Sequence, residues 1–401
     1  LEPACWTPLP SMNRRRRRNK YLIPITDMEF DGEAIAAAIA RWAAMESPSY
    51  DTDAVNRMMD EAAAVMGELG AVITRYDGGT QFGDIIRAHF PWGEGPGILV
   101  LGHLDTVHDI GTIEGELAVS RDGDRLYGPG VLDMKGGMYI AIEALRHVLK
   151  MGVTPRRPMT FMFIPDEEIG SPFSRPFIEA EARAHQYVLV PEPGKENFVT
   201  GRHAVLRYKL RTIGQPAHAG RSLGPGHSAI SVMAQLITQI EAYSNIDQEK
   251  TYRVGKVHGG TFVNVVTPHC SAEVLCIAPT SDAFDEIQQR MDALVSPDPN
   301  VRLVVERGPV RPLFQANDAT MDLLEVAQRI ARDVGLELGQ GQYGGGSDGN
   351  ITGAMGIPTL DGLGVCGDGV HTKTEYLNVS SIVPRTRLMA GLYQGLSERN
   401  F

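Results

Sequence analysis

The stretch Gly97-Ile-Leu-Val-Leu-Gly-His-Leu-Asp105 combines an unbroken apolar run with two potential metal-binding side chains. Residues 98–101 show no polar alternation, which is typical of a strand buried on both faces of a sheet. His103 and Asp105 follow directly after this run. Because ligands bind at the carboxyl ends of strands in open α/β sheets, the stretch predicts both a fold class and a functional edge.

Helical and strand patterns alternate on both sides of this stretch. Helical spacing of apolar residues covers 30–69, 138–151 and 177–183. Strand patterns cover 71–76, 84–90, 97–101, 159–164 and 187–190. Such alternation predicts an α/β layered domain built on a mixed sheet.

The pattern changes after about residue 200, where apolar and polar residues begin to alternate as in antiparallel strands. Strand patterns cover 205–212, 253–257, 270–278 and 301–306, and helical patterns cover 228–242 and 284–294. This order is that of a split βαβ, ferredoxin-like unit. The α/β pattern resumes after Pro312, with helical patterns at 320–334 and 383–396.

Three segments are therefore predicted. Residues 27–200 and 313–401 form a catalytic domain, and residues 201–312 form an inserted ferredoxin-like α+β domain. Residues 1–26 form a flexible basic arm, because they contain five consecutive arginines at 14–18 and no apolar pattern.

Composition excludes several classes of protein. The 401 residues carry a formal net charge of −11, which argues against general affinity for nucleic acid or anionic membranes. The four cysteines show no CxxC spacing and indicate free thiols in a reducing compartment. No apolar run reaches the roughly 18 residues of a membrane span, and no secretory signal follows the arginines. We therefore expect a cytoplasmic location.

Protonatable residues recur at predicted strand ends and in glycine-rich turns. His103 can ligate a metal through one ring nitrogen while Asp105 accepts a hydrogen bond from the other. Asp133 lies in a glycine-rich turn, where a carboxylate can bridge two ions or simply cap the next helix. Glu167 and Glu168 follow a strand. Adjacent carboxylates there can share a cation or a proton, but taken alone the pair fits a solvated acidic loop equally well.

Two further positions are ambiguous when taken singly. Glu192 lies between two prolines, where a structural role is common, and His371 lies in a loop, where histidines are usually exposed. Taken with His103, Asp133 and one glutamate of the 167–168 pair, they complete a set of two histidines and three carboxylates. Such a set suits a hard-to-borderline divalent ion, and a neighbouring glutamate suits a general base.

Eight motifs occur in an order that resembles a known family. They are GHLD at 102–105, GPGVLDMKGG at 128–137, DEEIGS at 166–171, EPG at 192–194, GQPAHAG at 214–220, GGTFVNVV at 259–266, GGGSDGN at 344–350 and HTKTEYL at 371–377. The chain resembles the M20 metallopeptidases, especially the glutamate carboxypeptidases of the carboxypeptidase G2 type. The resemblance runs from about residue 30 to residue 397 and implies a di-metal hydrolase of phosphorylase/hydrolase-like fold.

The resemblance also implies a ligand set for two divalent ions, either Zn or Mn, with Co as a further choice. His103 and Glu192 would hold one ion, and Glu168 and His371 would hold the other. Asp133 would bridge both ions.

Further roles are implied for residues around these ligands. Glu167 would act as the general base toward a water that bridges the ions, and Asp105 would orient His103. The resemblance implies a homodimer through the inserted domain. In that dimer, His218 would reach the neighbouring subunit's active site and donate to the oxyanion, and Asn264 would assist at the substrate.

The chain departs from the family pattern where a substrate carboxylate would be held. The resemblance places Leu275 where many carboxypeptidase-type members carry an arginine. It places His203 where the family carries a lysine or an arginine. Arg311 could compensate, and less directly Arg307 or Arg202. Gly346, in the GGGSDGN motif, is a further candidate substrate contact.

Three functions follow from these observations. The first is hydrolysis of the amide C–N bond of an N-acyl amino acid or a small peptide-like substrate. The alternative is deamination of an aromatic amine such as a nitroanthranilate, with release of ammonia, which would account for Leu275. A third reading, a non-catalytic binding protein, conflicts with the intact Glu167 and the complete ligand set.

Overall fold

The computed structural model describes Ile25 and residues 28–220 and 226–397. The predicted basic arm at 1–26 therefore lies outside the described residues, apart from Ile25. No helix in the described part of the chain is long and apolar enough to cross a membrane.

The described residues form helices and strands that alternate along most of the chain. The helices are α1 (Gly32–Ala43), α2 (Thr52–Glu68), α3 (Lys135–Lys150), α4 (Arg175–Ala182), α5 (Ala229–Glu241), α6 (Ser281–Asp292), α7 (Asp318–Asp333), α8 (Gly349–Ala354) and α9 (Ile382–Ser397). The first strands are β1 (Val72–Tyr76), β2 (Ile85–Phe90), β3 (Gly97–His103), β4 (Ser120–Asp122), β5 (Arg125–Tyr127), β6 (Met159–Ile164), β7 (His185–Leu189), β8 (Asn197–Arg202) and β9 (Ala204–Ile213). The others are β10 (Ala217–His218), β11 (Thr251–Gly259), β12 (Val265–Val266), β13 (His269–Ala278), β14 (Arg302–Arg311), β15 (Gly339–Tyr343), β16 (Thr359–Leu360), β17 (Gly367–Asp368) and β18 (Tyr376–Asn378).

The main sheet has the strand order β1-β2-β6-β3-β7-β16. β3 runs parallel to β6 and β7, whereas β1 and β2 are antiparallel to their neighbours. Every residue of β3 is buried, because Ile98 and Val100 enter one hydrophobic cluster while Leu99 and Leu101 enter another on the opposite face. The expected α/β mixed sheet is confirmed, and its apolar central strand results from coverage on both faces.

A second sheet has the order β11-β13-β9-β14, and all its neighbouring strands are antiparallel. Its elements follow the chain as strand, helix, strand, strand, helix, strand, which is a split βαβ arrangement. Helices α5 and α6 cover one face, and the buried residues between them and the sheet form a separate hydrophobic cluster. Along β9, the residues at 207, 209 and 211 point to the other, more open face.

The structure differs from the sequence prediction in the first helical segment and in several short elements. The helical pattern predicted over 30–69 forms two helices, because Asp51 caps the start of α2 with its side chain and Pro48 lies in the turn between them. The parallel pair β8 and β15 was not predicted. β15 has the sequence GQGQY, which carries no apolar pattern, so only its pairing with β8 makes it a strand.

Candidate metal centre

Five side chains converge at the carboxyl edge of the main sheet. His103 ends β3, Glu168 follows β6, and Glu192 follows β7. These three strands are neighbours and run parallel, so their ends meet at one edge. Asp133 lies just before α3, and His371 lies between β17 and β18.

A small sheet brings the last two of these residues together. Its order is β17-β18-β5-β4, and Tyr376 of β18 pairs with Tyr127 of β5. This pairing aligns the loop that carries His371 with the turn that carries Asp133. His371 has a φ of 61°, a left-handed conformation that is rare for a residue with a side chain.

Asp133 lies at the centre of the cluster, with one histidine on each side. Its Oδ1 is 3.2 Å from His103 Nε2, and its Oδ2 is 3.2 Å from His371 Nε2. Glu168 Oε2 lies 2.9 Å from His371 Nε2, and Glu192 Oε1 lies 3.9 Å from His103 Nε2. This geometry pairs His103 with Glu192 and His371 with Glu168.

The donor set fits divalent cations. Ligand atoms of His103, Asp133 and Glu168 lie within 4.8 Å of one another. Imidazole nitrogens with carboxylate oxygens are the ligands that Zn and Mn prefer, and a carboxylate with a histidine at each oxygen can serve two ions.

The electrostatics of the cluster also favour a cation. Burial, and then repulsion from Asp133, raises the pKa of Glu168 to about 8. The same two causes raise the pKa of Glu192 well above its ordinary value. Burial acts to raise the pKa of Asp133 as well, but hydrogen bonds from His103 and His371 lower it below its ordinary value. Buried carboxylates this close together need positive charge beside them.

Asp105 contacts His103 most closely through its backbone carbonyl. His103 Nδ1 lies 3.0 Å from the Asp105 carbonyl oxygen and 3.4 Å from its Oδ1. The Asp105 carboxylate accepts hydrogen bonds from Ser49 Oγ at 2.6 Å and from the backbone N–H groups of Glu167 and Glu168 at 3.2 Å. One buried aspartate thus connects the His103 ring to the loop that carries both glutamates.

Glu167 is buried beside the cluster and pairs with Arg311. Arg311 Nη2 lies 2.6 Å from Glu167 Oε1, and Arg311 Nη1 lies 3.0 Å from Asp348 Oδ1. Burial raises the pKa of Glu167, while attraction to Arg311 opposes that shift. Arg311, expected to be a substrate contact, is itself 3% exposed and directs both terminal nitrogens toward carboxylates of the chain.

Glu375 is a buried carboxylate beside the cluster that the sequence reasoning missed. Its carboxylate accepts hydrogen bonds from the backbone N–H groups of Gly130, Leu132 and Asp133 at 2.9–3.1 Å. It also lies 3.0 Å from His108 Nε2. The available signal was its place in the HTKTEYL motif, four residues after His371.

The remaining predicted residues lie apart from the cluster. His218 is exposed on β10, where it pairs with Val265 of β12, and Asn264 is exposed next to that strand. Among the described residues, no hydrogen bond or ion pair joins either of them to the five clustered side chains. His203 is buried, with Nε2 3.7 Å from Glu249 Oε2.

Gly346 packs against Arg311. A Cβ at residue 346 would lie 2.6 Å from Arg311 Cδ, so a glycine there lets the Arg311 side chain pass. Gly346, which was predicted to contact the substrate, therefore packs against Arg311, the arginine that pairs with Glu167.

Comparisons with known proteins relate most of the chain to peptidases. The sequence pattern of Peptidase family M20/M25/M40 matches residues 99–395. Carboxypeptidase G2 from Pseudomonas sp. (strain RS-16) is 27% identical over 395 residues, which is 95% of this chain and 93% of that protein.

Solved structures share the fold. A tripeptidase from Staphylococcus aureus subsp. aureus Mu50 superposes with a TM-score of 0.72 at 20% identity, covering 92% of this chain and 99% of its own. The dipeptidase Dug1p from Saccharomyces cerevisiae superposes with a TM-score of 0.73 at 15% identity, covering 92% and 97%.

Proposed function

This chain belongs to peptidase family M20/M25/M40 and is a metal-dependent hydrolase, and from that premise we propose that it cleaves an amide C–N bond. The proposed substrate is an N-acyl amino acid or a small peptide-like molecule. The observation that carries the proposal is the buried cluster around Asp133, with a histidine at each carboxylate oxygen and Glu167 alongside.

The proposed ligands divide into two sets that share Asp133. His103 and Glu192 would hold one ion, and Glu168 and His371 would hold the other. Zn or Mn fits these donors, and Co is a further choice. Such ions, when bound, polarise a carbonyl oxygen and lower the pKa of a water molecule to near neutrality.

The residues of the chain then supply proton transfer and orientation. Glu167 accepts the proton of the attacking water and passes it to the leaving nitrogen, as a general base that becomes a general acid. Its pairing with Arg311 holds the carboxylate in one orientation. Asp105 holds the His103 ring and the Glu167 backbone at the same time, so the proposed ligand and base keep a constant spacing.

We further propose the domain boundaries 27–200 with 313–401 for the catalytic domain and 201–312 for the inserted domain. Separate hydrophobic clusters in the two parts support this division. The inserted domain would form a homodimer in which His218 donates to the oxyanion of the neighbouring subunit. Asn264 and His203 would contact the substrate.

The names of the related proteins describe carboxypeptidase, tripeptidase and dipeptidase activities, which all break amide bonds. Deamination of an aromatic amine gains no support from these relatives, and we set that alternative aside.

The proposal is tested with Zn- or Mn-loaded protein and a panel of N-acyl amino acids, dipeptides, folate-like amides and aminobenzoates. Mass spectrometry should detect a free amino acid released by the wild type. The Glu167→Gln variant should retain its metal but lose about 10²–10⁴-fold in rate, because the general base is gone.

Glu196→Gln is the matched control, since Glu196 is an exposed glutamate of the same region. It should leave the rate unchanged. A near-normal rate in Glu167→Gln would refute the assignment of the base. Release of ammonia from an aminobenzoate, with every amide intact, would refute amide hydrolysis itself.

A further inference from the structure

A cavity of about 500 Å³ separates the metal centre from the open face of the second sheet. Glu168, a proposed metal ligand, lines this cavity. Arg207 of β9, Leu275 of β13 and Tyr50 line it as well. The cavity therefore connects the reacting centre with a cationic side chain from the second sheet.

Arg207 has no carboxylate beside it in the sheet. Its cross-strand neighbour on β13 is Leu275. On its other side, the pairing of β14 with β9 is interrupted between Arg307 and Val310, and this bulge brings Gly308 and Pro309 to the cavity. Bulges next to active sites often redirect side chains, and this one places no acceptor side chain next to Arg207.

The Arg207 guanidinium is also incompletely hydrogen-bonded. Its Nη1 is buried and has no hydrogen-bond partner, and the described residues form no ion pair with Arg207. The neighbouring arginines differ in this respect, because Arg202 pairs with Asp361 and Arg311 pairs with Glu167 and Asp348. An arginine remains charged in proteins, so the Arg207 guanidinium favours an anion beside it.

The other charged residues of the sheet that line the cavity also carry a net positive charge. Glu273 is the cross-strand neighbour of Lys209 on one side and of Lys256 on the other. A carboxylate flanked by two lysines leaves one cation in excess, and Arg207 adds a second. The sheet residues that line the cavity are therefore net positive and suit an anion.

Arg207 lies directly against the loop that carries the proposed base. A Cβ added at Gly170 would lie 2.7 Å from Arg207 Nη1, so glycine at 170 gives the guanidinium its place. Gly170 has a φ of 98°, which also favours glycine. Burial, followed by repulsion from Arg311, lowers the pKa of Arg207, whereas Glu167 and Glu168 attract it.

We propose that Arg207 is a specificity-determining residue that binds a carboxylate of the substrate at a distance from the bond being broken. This assignment rests on the proposed amide hydrolysis at the metal centre. In this assignment the bond to be cleaved lies beside Glu168, and the carboxylate lies beside Arg207. Leu275, which is 38% exposed, and Tyr50, which is 80% exposed, offer apolar surface to the carbon atoms between the two ends.

The first test measures binding without turnover. Straight-chain α,ω-dicarboxylates from succinate to suberate are titrated by calorimetry into the Zn-loaded protein, each against the monocarboxylate of equal length. At the length that spans the cavity, the second carboxylate should tighten binding by about 10- to 100-fold, because a charge-assisted pair with arginine is strong. Arg207→Gln should abolish this preference.

Arg211→Gln is the matched control. Arg211 is on the same strand and the same face, but it is exposed and pairs with Glu306. The preference for dicarboxylates should survive in this variant. A wild type that shows no preference at any length, or an Arg207→Gln variant that keeps it, would overturn the proposal.

A charge reversal separates recognition from loss of structure. Arg207→Glu should prefer ω-amino carboxylates over dicarboxylates, an inversion that a damaged protein does not produce. Continued preference for dicarboxylates in Arg207→Glu would also overturn the assignment. None of these measurements requires turnover. A failure to hydrolyse amides would therefore reject the proposed function without changing what the binding results say about Arg207.

Discussion

At the scale of single residues, contacts between residues far apart in sequence determine the role of each carboxylate. By sequence, Asp133 could be either a helix cap or a bridging ligand. The structure starts α3 at Lys135, with Met134 at the capping position and no side-chain cap, so both oxygens of Asp133 are available to His103 and His371. Glu375 makes this possible, because it satisfies the N–H groups of the turn that holds Asp133.

Replacement of Glu375 tests this support. Glu375→Gln keeps the size of the side chain but offers one acceptor oxygen where the turn and His108 require two. We expect metal affinity to fall by about 10- to 100-fold, as for other residues that orient ligands. Titration with Zn monitored by calorimetry measures the change.

Glu337→Gln, at an exposed glutamate distant in sequence, provides the comparison for that titration. An unchanged metal affinity in Glu375→Gln would mean that the turn holds Asp133 without help from this carboxylate.

At the scale of elements, close backbone contacts set the distance between α3 and the loop that carries Glu192. A Cβ on Gly137 would overlap the carbonyl oxygen of Pro191, and a Cβ on Gly136 would overlap that of Val131. The last two glycines of the GPGVLDMKGG motif thus keep the first turn of α3 close to its surroundings, Gly136 against Val131 and Gly137 against Pro191, the residue next to Glu192. Their role is one of packing, since neither has a positive φ.

Alanine at Gly137 should push this loop away from the helix. We expect Gly137→Ala to lower the free energy of unfolding by about 1–3 kcal/mol through overpacking. It should also reduce the metal bound per chain, because Glu192 moves with Pro191. Chemical denaturation and elemental analysis measure the two effects.

Gly67→Ala is the matched substitution in a helix with open space around it. It should be neutral or stabilise the protein by about 0.5–1 kcal/mol, since alanine favours helix over glycine. Equal behaviour of the two alanine variants would contradict the packing role of Gly137.

At the scale of the whole molecule, the proposed chemistry is distributed over side chains that share no hydrogen bond or ion pair within the described residues. His218 and Asn264 lie on the second sheet's side, near the exposed side chains of Phe262 and Val263. The five clustered side chains around Asp133 lie at the edge of the main sheet. If His218 serves catalysis, a second copy of the chain has to bring it to that cluster, which is the basis for proposing a homodimer.

Complementation between two inactive variants tests this arrangement. Glu167→Gln and His218→Ala should each be slow alone, whereas their co-expressed mixture should regain about a quarter of wild-type activity. In a mixed C₂ dimer, one active site receives an intact Glu167 and an intact His218 from different chains. Activity of the purified mixture, relative to the sum of the single variants, is the measurement.

A mixture no more active than its components, under conditions where light scattering shows a dimer, would contradict action of His218 across an interface. Equal metal content in His218→Ala and the wild type is the accompanying check.

The sequence by itself determined the features that depend on short stretches. The apolar run of β3 followed by His103, and the strands that precede Glu168 and Glu192, predicted a sheet edge at which ligands meet, because parallel strands place their carboxyl ends together. The ordered motifs likewise predicted the family that the comparisons confirm. Hydrophobic periodicity is a local property, so it can be detected before the fold is known.

Only the tertiary structure decided which groups face one another. The hydrogen bonds of Glu375 span more than 240 residues, and the pairing of Arg311 with Glu167 spans 144. The place of Arg207 beside Leu275 follows from strand register and from a bulge in β14, neither of which leaves a signal in the residues themselves. Contacts between distant segments depend on how whole elements pack, and the physical reason that they escaped prediction is that no local preference encodes them.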